Sequence, residues 1–205
     1  TIVRTWTQRG TIHVIASEDV KRMTQLCAKK TLTSFTKRKE YLGVNDNQYN
    51  DALQYLEEYL HSGPKLRKDI WLYLTESWIS ITSWLLYNIL CFAGSSWLIV
   101  QWPIINNEQA FVLTSQRIKT TQYYDEQESI KTLCLRYFSS HGPATIEDLQ
   151  RWSGLGKTII KKGISYCRQD LQSFEYEWRI YYNTFNNAKT ISWDNHIHFL
   201  AWFDE

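Results

Sequence analysis

Leu133 to Leu155, LCLRYFSSHGPATIEDLQRWSGL, reads as a helix, a tight Gly142-Pro143 corner and a second, short helix. Ile130, Leu133, Cys134, Tyr137 and Phe138 share one face of the first helix. Thr145, with Asp148 three residues on, has the spacing of a capping box that opens the second. Ile146, Leu149 and Trp152 point one way from it, and Ser153-Gly154 stops it. A related stretch, Leu56 to Leu74, LEEYLHSGPKLRKDIWLYL, lies earlier in the chain. Superposing Gly63 on Gly142 sets an offset of 142 − 63 = 79 residues, at which Pro64 meets Pro143, Asp69 meets Asp148 and Ile70 meets Leu149. An offset this long predicts two related domain-sized units rather than a solenoid of short repeats.

The flanks complete each unit. Tyr49, Leu53, Leu56 and Leu60 recur at helical spacing, and this helix ends at His61-Ser62-Gly63-Pro64. A helix over about 65–74 follows, with proline in its first turn, where it costs no hydrogen bond. A third apolar segment covers 77–92 and ends at Gly94. Trp97 to Trp102 reads as a strand, Asn106-Asn107 as a turn and Ala110 to Thr114 as the return strand. After the later copy the same plan is expected. A third helix runs from Gly156 to Arg168, and Phe174, Tyr176, Trp178 and Ile180 alternate as a strand. The wing turn falls at Asn186-Asn187 and the return strand at Thr190 to Trp193. Three helices followed by a β-hairpin describe a winged helix, a member of the helix-turn-helix group.

Upstream, Thr1 to Ile15 alternates in the manner of paired strands, with turn chemistry at Arg9-Gly10. Val3, Thr5 and Thr7 face one way and Arg4, Trp6 and Gln8 the other. A helix over roughly Glu18 to Lys29 follows, with acids in its first turn. The expected fold class is therefore α+β, mainly helical, built of tandem winged-helix units. Residues 1–44 form the end of a first unit, 45–122 a second, and 123–205 a third with the start of a further part.

Composition bounds the function. The chain has 205 residues, enough for one to three small domains, and ten tryptophans, which favour compact cores over disorder. Net charge is only +2, so any nucleic-acid surface must come from local clustering. Residues 1–48 carry nine Lys/Arg against four Asp/Glu. Lys29-Lys30 and Lys37-Arg38-Lys39 form a basic cluster there, either an ordinary solvated surface or a phosphate contact. Between Ile70 and Gln116 there is no Lys or Arg. The third helix of the middle unit is thus either a packing helix or a membrane-inserted one. Asn88, Gln101, Gly94 and Pro103 interrupt the uncharged run well short of a span, so no membrane partner is expected. Cys27, Cys91, Cys134 and Cys167 lie far apart without a Cys-x-x-Cys pair, which argues against a zinc ribbon or a disulfide framework. They read as reduced thiols of a cytoplasmic protein. No signal peptide is visible, and both termini, Thr1 and Glu205, read as cuts through a longer protein.

The helix from Gly156 to Arg168 is the most informative for binding. Ile160, Gly163, Ile164 and Cys167 gather on one face. Lys157, Lys161 and Arg168 gather nearly opposite, with Lys162 at the edge and no acid anywhere in the helix. A basic stripe on the third helix of a winged helix is where DNA contact is expected, and a solvated lysine face is the plainer alternative. His196 and His198 are too few for a metal site. Gly154-x-Gly156-Lys157-Thr158 fails as a phosphate loop, because the first glycine of that motif would fall at Arg151.

Two segments together point to a family. Arg4-Thr5-Trp6-Thr7-Gln8-Arg9-Gly10-Thr11-Ile12-His13 resembles the Arg-Thr-Trp-x-x-Arg-Gly-Thr-Leu-His signature of tandem winged-helix proteins of the AlkZ type. Arg136-Tyr137-Phe138, His141 to Thr145, Asp148 and Trp152 to Leu155 resemble the second signature of that family. Phe199 to Glu205 is similar to its Leu-Leu-Pro-x-Phe-Asp-Glu segment, with Ala201 where proline is usual. The resemblance implies winged-helix units curved around double-stranded DNA. It also implies glycosylase activity on bulky alkylated bases or interstrand crosslinks, with no metal or cofactor. The catalytic polar pair of the family, Gln-x-Gln or Gln-x-Asp, precedes the Arg-Thr-Trp signature, so no catalytic residue is assigned among these 205. Arg4, Arg9 and His13 become the candidates for lining a DNA-facing cleft beside Lys157, Lys161, Lys162 and Arg168. Against this, Trp6 and His13 could simply fix the hairpin on the following helix. The alternative function is a non-catalytic winged-helix DNA-binding or transcription-regulating protein.

Overall fold

A computed structural model describes residues 1–39, 41–77, 81–119 and 125–185. The chain opens with an antiparallel hairpin of β1 (Ile2–Trp6) and β2 (Ile12–Ala16), and Arg9 and Gly10 near its turn have φ of 55° and 73°. Helix α1 (Ser17–Lys37) follows and runs about two turns beyond its expected end. The run Thr31 to Thr36 has weak helix propensity. It is held by packing: Phe35 is buried, and Gly10 of the hairpin sits so close that an added Cβ would lie 3.2 Å from Thr31 Cγ2. The Thr33 and Thr36 hydroxyls donate back to the carbonyls of Lys29 and Leu32.

Next come α2 (Asp46–Leu60), β3 (Lys65–Leu66), α3 (Arg67–Glu76), α4 (Ser83–Ser95), β4 (Ile99–Ile105), β5 (Glu108–Leu113) and α5 (Thr114–Arg117). The last part holds α6 (Glu126–His141), α7 (Ile146–Ser153), α8 (Lys157–Tyr166), β6 (Leu171–Tyr176) and β7 (Arg179–Thr184). The architecture is α+β. One antiparallel sheet has the order β2-β1-β4-β5-β3, and β6-β7 forms a separate two-stranded ribbon.

Pro64 and Pro143 do not enter the first turn of the following helix. A proline biases its predecessor to extended backbone, and Gly142 is extended at φ −70°, ψ 150°. Each proline leads instead into a short bridge to a hairpin downstream. Lys65 and Leu66 pair with Phe111 and Ala110, and Ala144 pairs with Tyr182. The order helix, Gly-Pro, bridge, helix, helix, hairpin therefore occurs twice. The later hairpin also closes sooner than expected. Its turn is Glu177-Trp178, at φ 46° and 64°, with Phe174 and Tyr176 on one strand and Ile180 on the other. A turn needing two positive φ values favours Asn or Gly, as at Asn106-Asn107, and Glu-Trp gives no such signal. The turn expected at Asn186-Asn187, the return strand at 190–193, His196, His198 and the segment 199–205 lie outside the described residues.

The main apolar cluster packs α2, α3 and α4 against the sheet and includes Trp6, Tyr49, Leu56, Ile70, Leu85, Ile89 and Phe111. Helix α4 is enclosed by α1, α2, β1 and β4, which accounts for its lack of lysine and arginine. Its buried Asn88 accepts a 2.7 Å hydrogen bond from the Tyr49 hydroxyl. Among the described residues no helix is long and apolar enough to cross a membrane. A second cluster gathers α6, α7 and α8 and reaches Met23 and Cys27 of α1. Gly163 fits there as expected: a Cβ would come within 2.6 Å of Cys134 Sγ. All four cysteines are buried and unpaired. Burial pushes Cys27 and Cys134 up to about 12 and Cys91 and Cys167 to about 11.

The capping box is present at Thr145. Its Oγ1 accepts from the Asp148 N–H at 3.2 Å, and its own N–H donates to Asp148 Oδ2 at 2.8 Å. Thr145→Ala should lower unfolding free energy by about 1 kcal/mol, within the roughly 0.5–2 kcal/mol range for lost caps. Urea titration followed by circular dichroism reads this out, and an unchanged midpoint would count against the cap as a stabilising element.

Candidate functional site

Helix geometry turns the basic residues of α1 into a stripe. Lys29, Lys30, Lys37 and Arg38 are exposed, with Thr33 and Ser34 between them at the three- and four-residue spacings that keep side chains on one side. The stripe forms one wall of a cleft of about 1100 Å³. The opposite wall is Gly154, Leu155, Gly156 and Ile159 from the α7–α8 junction, with Glu126 and Ser129 of α6 nearby. The cleft continues past Cys27 and Ser34 into a recess of about 390 Å³, where Arg9, Gly10, Phe35 and Tyr87 join Lys30 and Arg38.

Among the described residues that line these two spaces, Arg9, Lys29, Lys30, Lys37 and Arg38 are cationic and Glu126 alone is acidic. No described carboxylate lies within ion-pair distance of any of the five cations, whereas Lys39 is engaged by Asp46 at 2.8 Å. Gly154 ends α7 in the left-handed conformation, φ 76°, and Arg9 lies against it: a Cβ at 154 would come 3.1 Å from Arg9 Cγ. Helix α8 begins at this wall with Gly156 as its N-cap and no capping side chain. Its positive dipole end adds to the local field. The groove is thus suited to a polyanion that runs along α1. The Cys27 thiol in it stays protonated, because burial raises its pKa to about 12.

Of Arg4, Arg9, His13, Lys157, Lys161, Lys162 and Arg168, only Arg9 lines this groove, whereas Lys29, Lys30, Lys37 and Arg38 of the basic cluster noted in the sequence do. Arg4 is exposed on the sheet, and its Nη1 donates to Gln109 Oε1 at 3.1 Å. Lys157, Lys161, Lys162 and Arg168 are exposed on or just beyond α8 but do not border the groove. Lys157 Nζ donates to Glu147 Oε1 at 2.7 Å, and that bond holds the Glu147 carboxyl below its usual range. The residues under-weighted in the sequence are those of α1. Their signal was the surplus of lysine and arginine in residues 1–48, which sequence alone leaves balanced between solvated surface and contact.

His13 is half-buried on β2, with Nδ1 2.9 Å from Thr7 Oγ1. It borders a separate cleft behind Arg9. Burial lowers its pKa below 6.5; a hydrogen bond that the ring donates to the Thr11 backbone carbonyl opposes this, and the Arg9 charge adds to the lowering. The unfolded chain therefore takes up the His13 proton at higher pH than the folded one. Stability linked to His13 is complete above about pH 6.5 and declines as pH falls through the lowered folded value. His13→Gln should flatten that decline in unfolding titrations between pH 7 and 5; an identical slope would mean His13 titrates normally.

The family profile described as DNA glycosylase AlkZ-like matches residues 1–205. Among solved structures, the DNA glycosylase AlkZ of Streptomyces sahachiroi is similar in fold, with a TM-score of 0.71 at 18% sequence identity over 90% of this chain and 52% of that one. The chain thus spans about half the length of that protein. Comparison with curated proteins gives no match.

Proposed function

The chain belongs to the AlkZ-like DNA glycosylase family, and from that premise we propose that it holds double-stranded DNA for a base-excising enzyme, in the groove along α1. The observation that carries this reading is the ratio of five cations to one carboxylate along a continuous groove. Neutralising phosphates releases condensed counterions, so such a surface binds duplex independently of sequence and with strong salt dependence. We read the two repeats of helix, bridge, helix, helix and hairpin as winged helices, with residues 45–122 and 123–205 as units and residues 1–44 as the end of an earlier one. In this reading the middle unit is a packing element, because α4 occupies the core where a recognition helix would need to be free.

Arg9 and the α1 stripe form the main phosphate track. Lys157, Lys161 and Lys162 of α8, with Arg168 just beyond it, form a second, outer contact, with the β6–β7 hairpin as its wing. Arg4 and His13 lie outside both tracks. The glycosylase role assigned to the whole protein is removal of alkylated bases or unhooking of crosslinks; the residues named here bind and orient, and they break no bond.

The direct test is incubation of the full-length protein with duplex carrying 7-methylguanine or a mustard crosslink. Base release or unhooking is expected, and tight binding with no release would favour a non-catalytic DNA-binding protein. For the outer contact, reversing Lys157 and Lys161 to Glu should weaken duplex binding by less than about tenfold. It should flatten the log–log salt slope by about 0.9 per lost phosphate. Anisotropy of a labelled duplex across a salt series measures both, and an unchanged slope removes α8 from the interface.

A further inference from the structure

On the far side of Arg9 from the groove lies a cleft of about 330 Å³ between the β1–β2 hairpin and α6. Its wall is apolar and aromatic, with Met23, Leu133, Tyr137 and Trp152 among the lining residues. Tyr137 anchors an aromatic cluster there: its ring is 5.3 Å from that of Trp152 and stacks on His141 at 4.7 Å, 7° from parallel. His141 is also exposed, so its ring combines a π-face with access from solvent.

The rim is cationic. Asp19 is the one carboxylate bordering the cleft among the described residues, and it is shared by two guanidiniums, Arg136 Nη1 at 2.6 Å and Arg22 Nη1 at 3.3 Å. Both guanidiniums are held by that carboxylate, and Arg9 adds a cation with no described carboxylate within ion-pair distance. Hydroxyls of Thr7, Thr132 and Ser140 complete the edge. His13, with its pKa lowered by burial, is neutral at pH 7.

A flat apolar wall under a cationic, hydroxyl-bearing rim is complementary to a planar heteroaromatic joined to a phosphate. The volume is at the small end for ligand sites, roughly 300 Å³ upward. Aromatic side chains stack on any base, because each has a π-face. We propose that this cleft binds a single nucleotide unit, with the base against the His141–Trp152 aromatic edge and the phosphate toward Arg9 and Arg136. Arg9 borders both this cleft and the groove. A nucleotide turned out of a duplex held along α1 would therefore reach the cleft across one side chain. The turned-out source rests on the DNA-holding reading above; the binding of a nucleotide does not.

The test uses the full chain with guanosine 5′-monophosphate as probe, followed by the proton resonances of the His141 ring and the Trp152 indole. Saturable shifts of both are expected, weakened at least about fivefold in His141→Ala, which removes an exposed ring from the stack. The charge-reversed pair Lys30→Glu, Arg38→Glu should bind the mononucleotide as the parent does even where duplex binding is lost. That outcome separates the two readings. Equal shifts from inorganic phosphate alone, or none at millimolar nucleotide, would overturn the proposal, as would full binding by His141→Ala. A duplex containing 2-aminopurine then assigns the source. Brightening on binding that disappears in His141→Ala marks a nucleotide turned out of the duplex, and constant fluorescence beside mononucleotide binding marks a free nucleotide.

Discussion

Reversing Lys30 and Arg38 to Glu together is expected to weaken binding to an undamaged 20-base-pair duplex by roughly 100-fold near 0.1 M salt, and to flatten the log–log salt slope by about 1.8. Both side chains border the main cleft and the recess beside Arg9, so any strand following α1 passes them. Neither is in an ion pair with a described carboxylate, so the change removes attraction and adds repulsion without breaking a salt bridge to a described residue. Arg38 does lie over the Phe35 ring, 5.3 Å from its centroid; a cation–π contact at an exposed site contributes about 0.5–1 kcal/mol, too little to unfold the chain. Anisotropy titrations at four or five salt concentrations give slope and affinity together. A slope equal to that of the parent would refute the groove as the DNA track. The effect should exceed that of the Lys157 and Lys161 reversal, because Lys157 already has Glu147 as a partner.

The second large effect concerns stability. Trp6→Ala is expected to lower unfolding free energy by about 3–5 kcal/mol, the cost of emptying a buried aromatic site. The indole is 3% exposed and stacks near Phe111 of β5, with ring centroids 6.4 Å apart and planes 9° from parallel. On its other side it packs so closely on α4 that a Cβ at Gly94 would overlap the ring. Trp6 therefore joins the first hairpin to the middle of the molecule, and β1 pairs with β4 at Arg4 and Gln101 in the same place. Urea unfolding by circular dichroism measures the loss. A drop under about 1 kcal/mol would mean that the hairpin is only loosely attached to the main core.

That junction shows where sequence reasoning stops. The alternation in Thr1 to Ile15 gives the hairpin correctly. It puts Trp6 on the face of Arg4, yet Arg4 is exposed and Trp6 is buried, because α4 reaches over one end of the strand only. A two-residue period carries no information about what covers each end. The repeat of Leu56 to Leu74 in Leu133 to Leu155 was legible because both copies obey the same local rules, a helical face and a Gly-Pro corner before a second helix, although only the later helix restarts on a side-chain cap. The bridges after the two prolines were not, since each consists of one or two residues whose partners lie some 40 positions downstream. The α8 stripe was visible because its charges fall within one helix of pure sign. The groove needs α1, the Arg9 turn and the α7–α8 junction to meet, and only folding brings Gly154 under Arg9.

Soft electrophiles attack a protein first at cysteine thiolate, the softest target a chain can offer. Each of the four thiols here is buried, with its ionisation displaced to about 11 or 12. At neutral pH such groups hold roughly 300- to 3,000-fold less thiolate than a free cysteine near 8.5 would at equal access. The packing that joins the helices thereby doubles as chemical armour for the thiols against soft electrophiles.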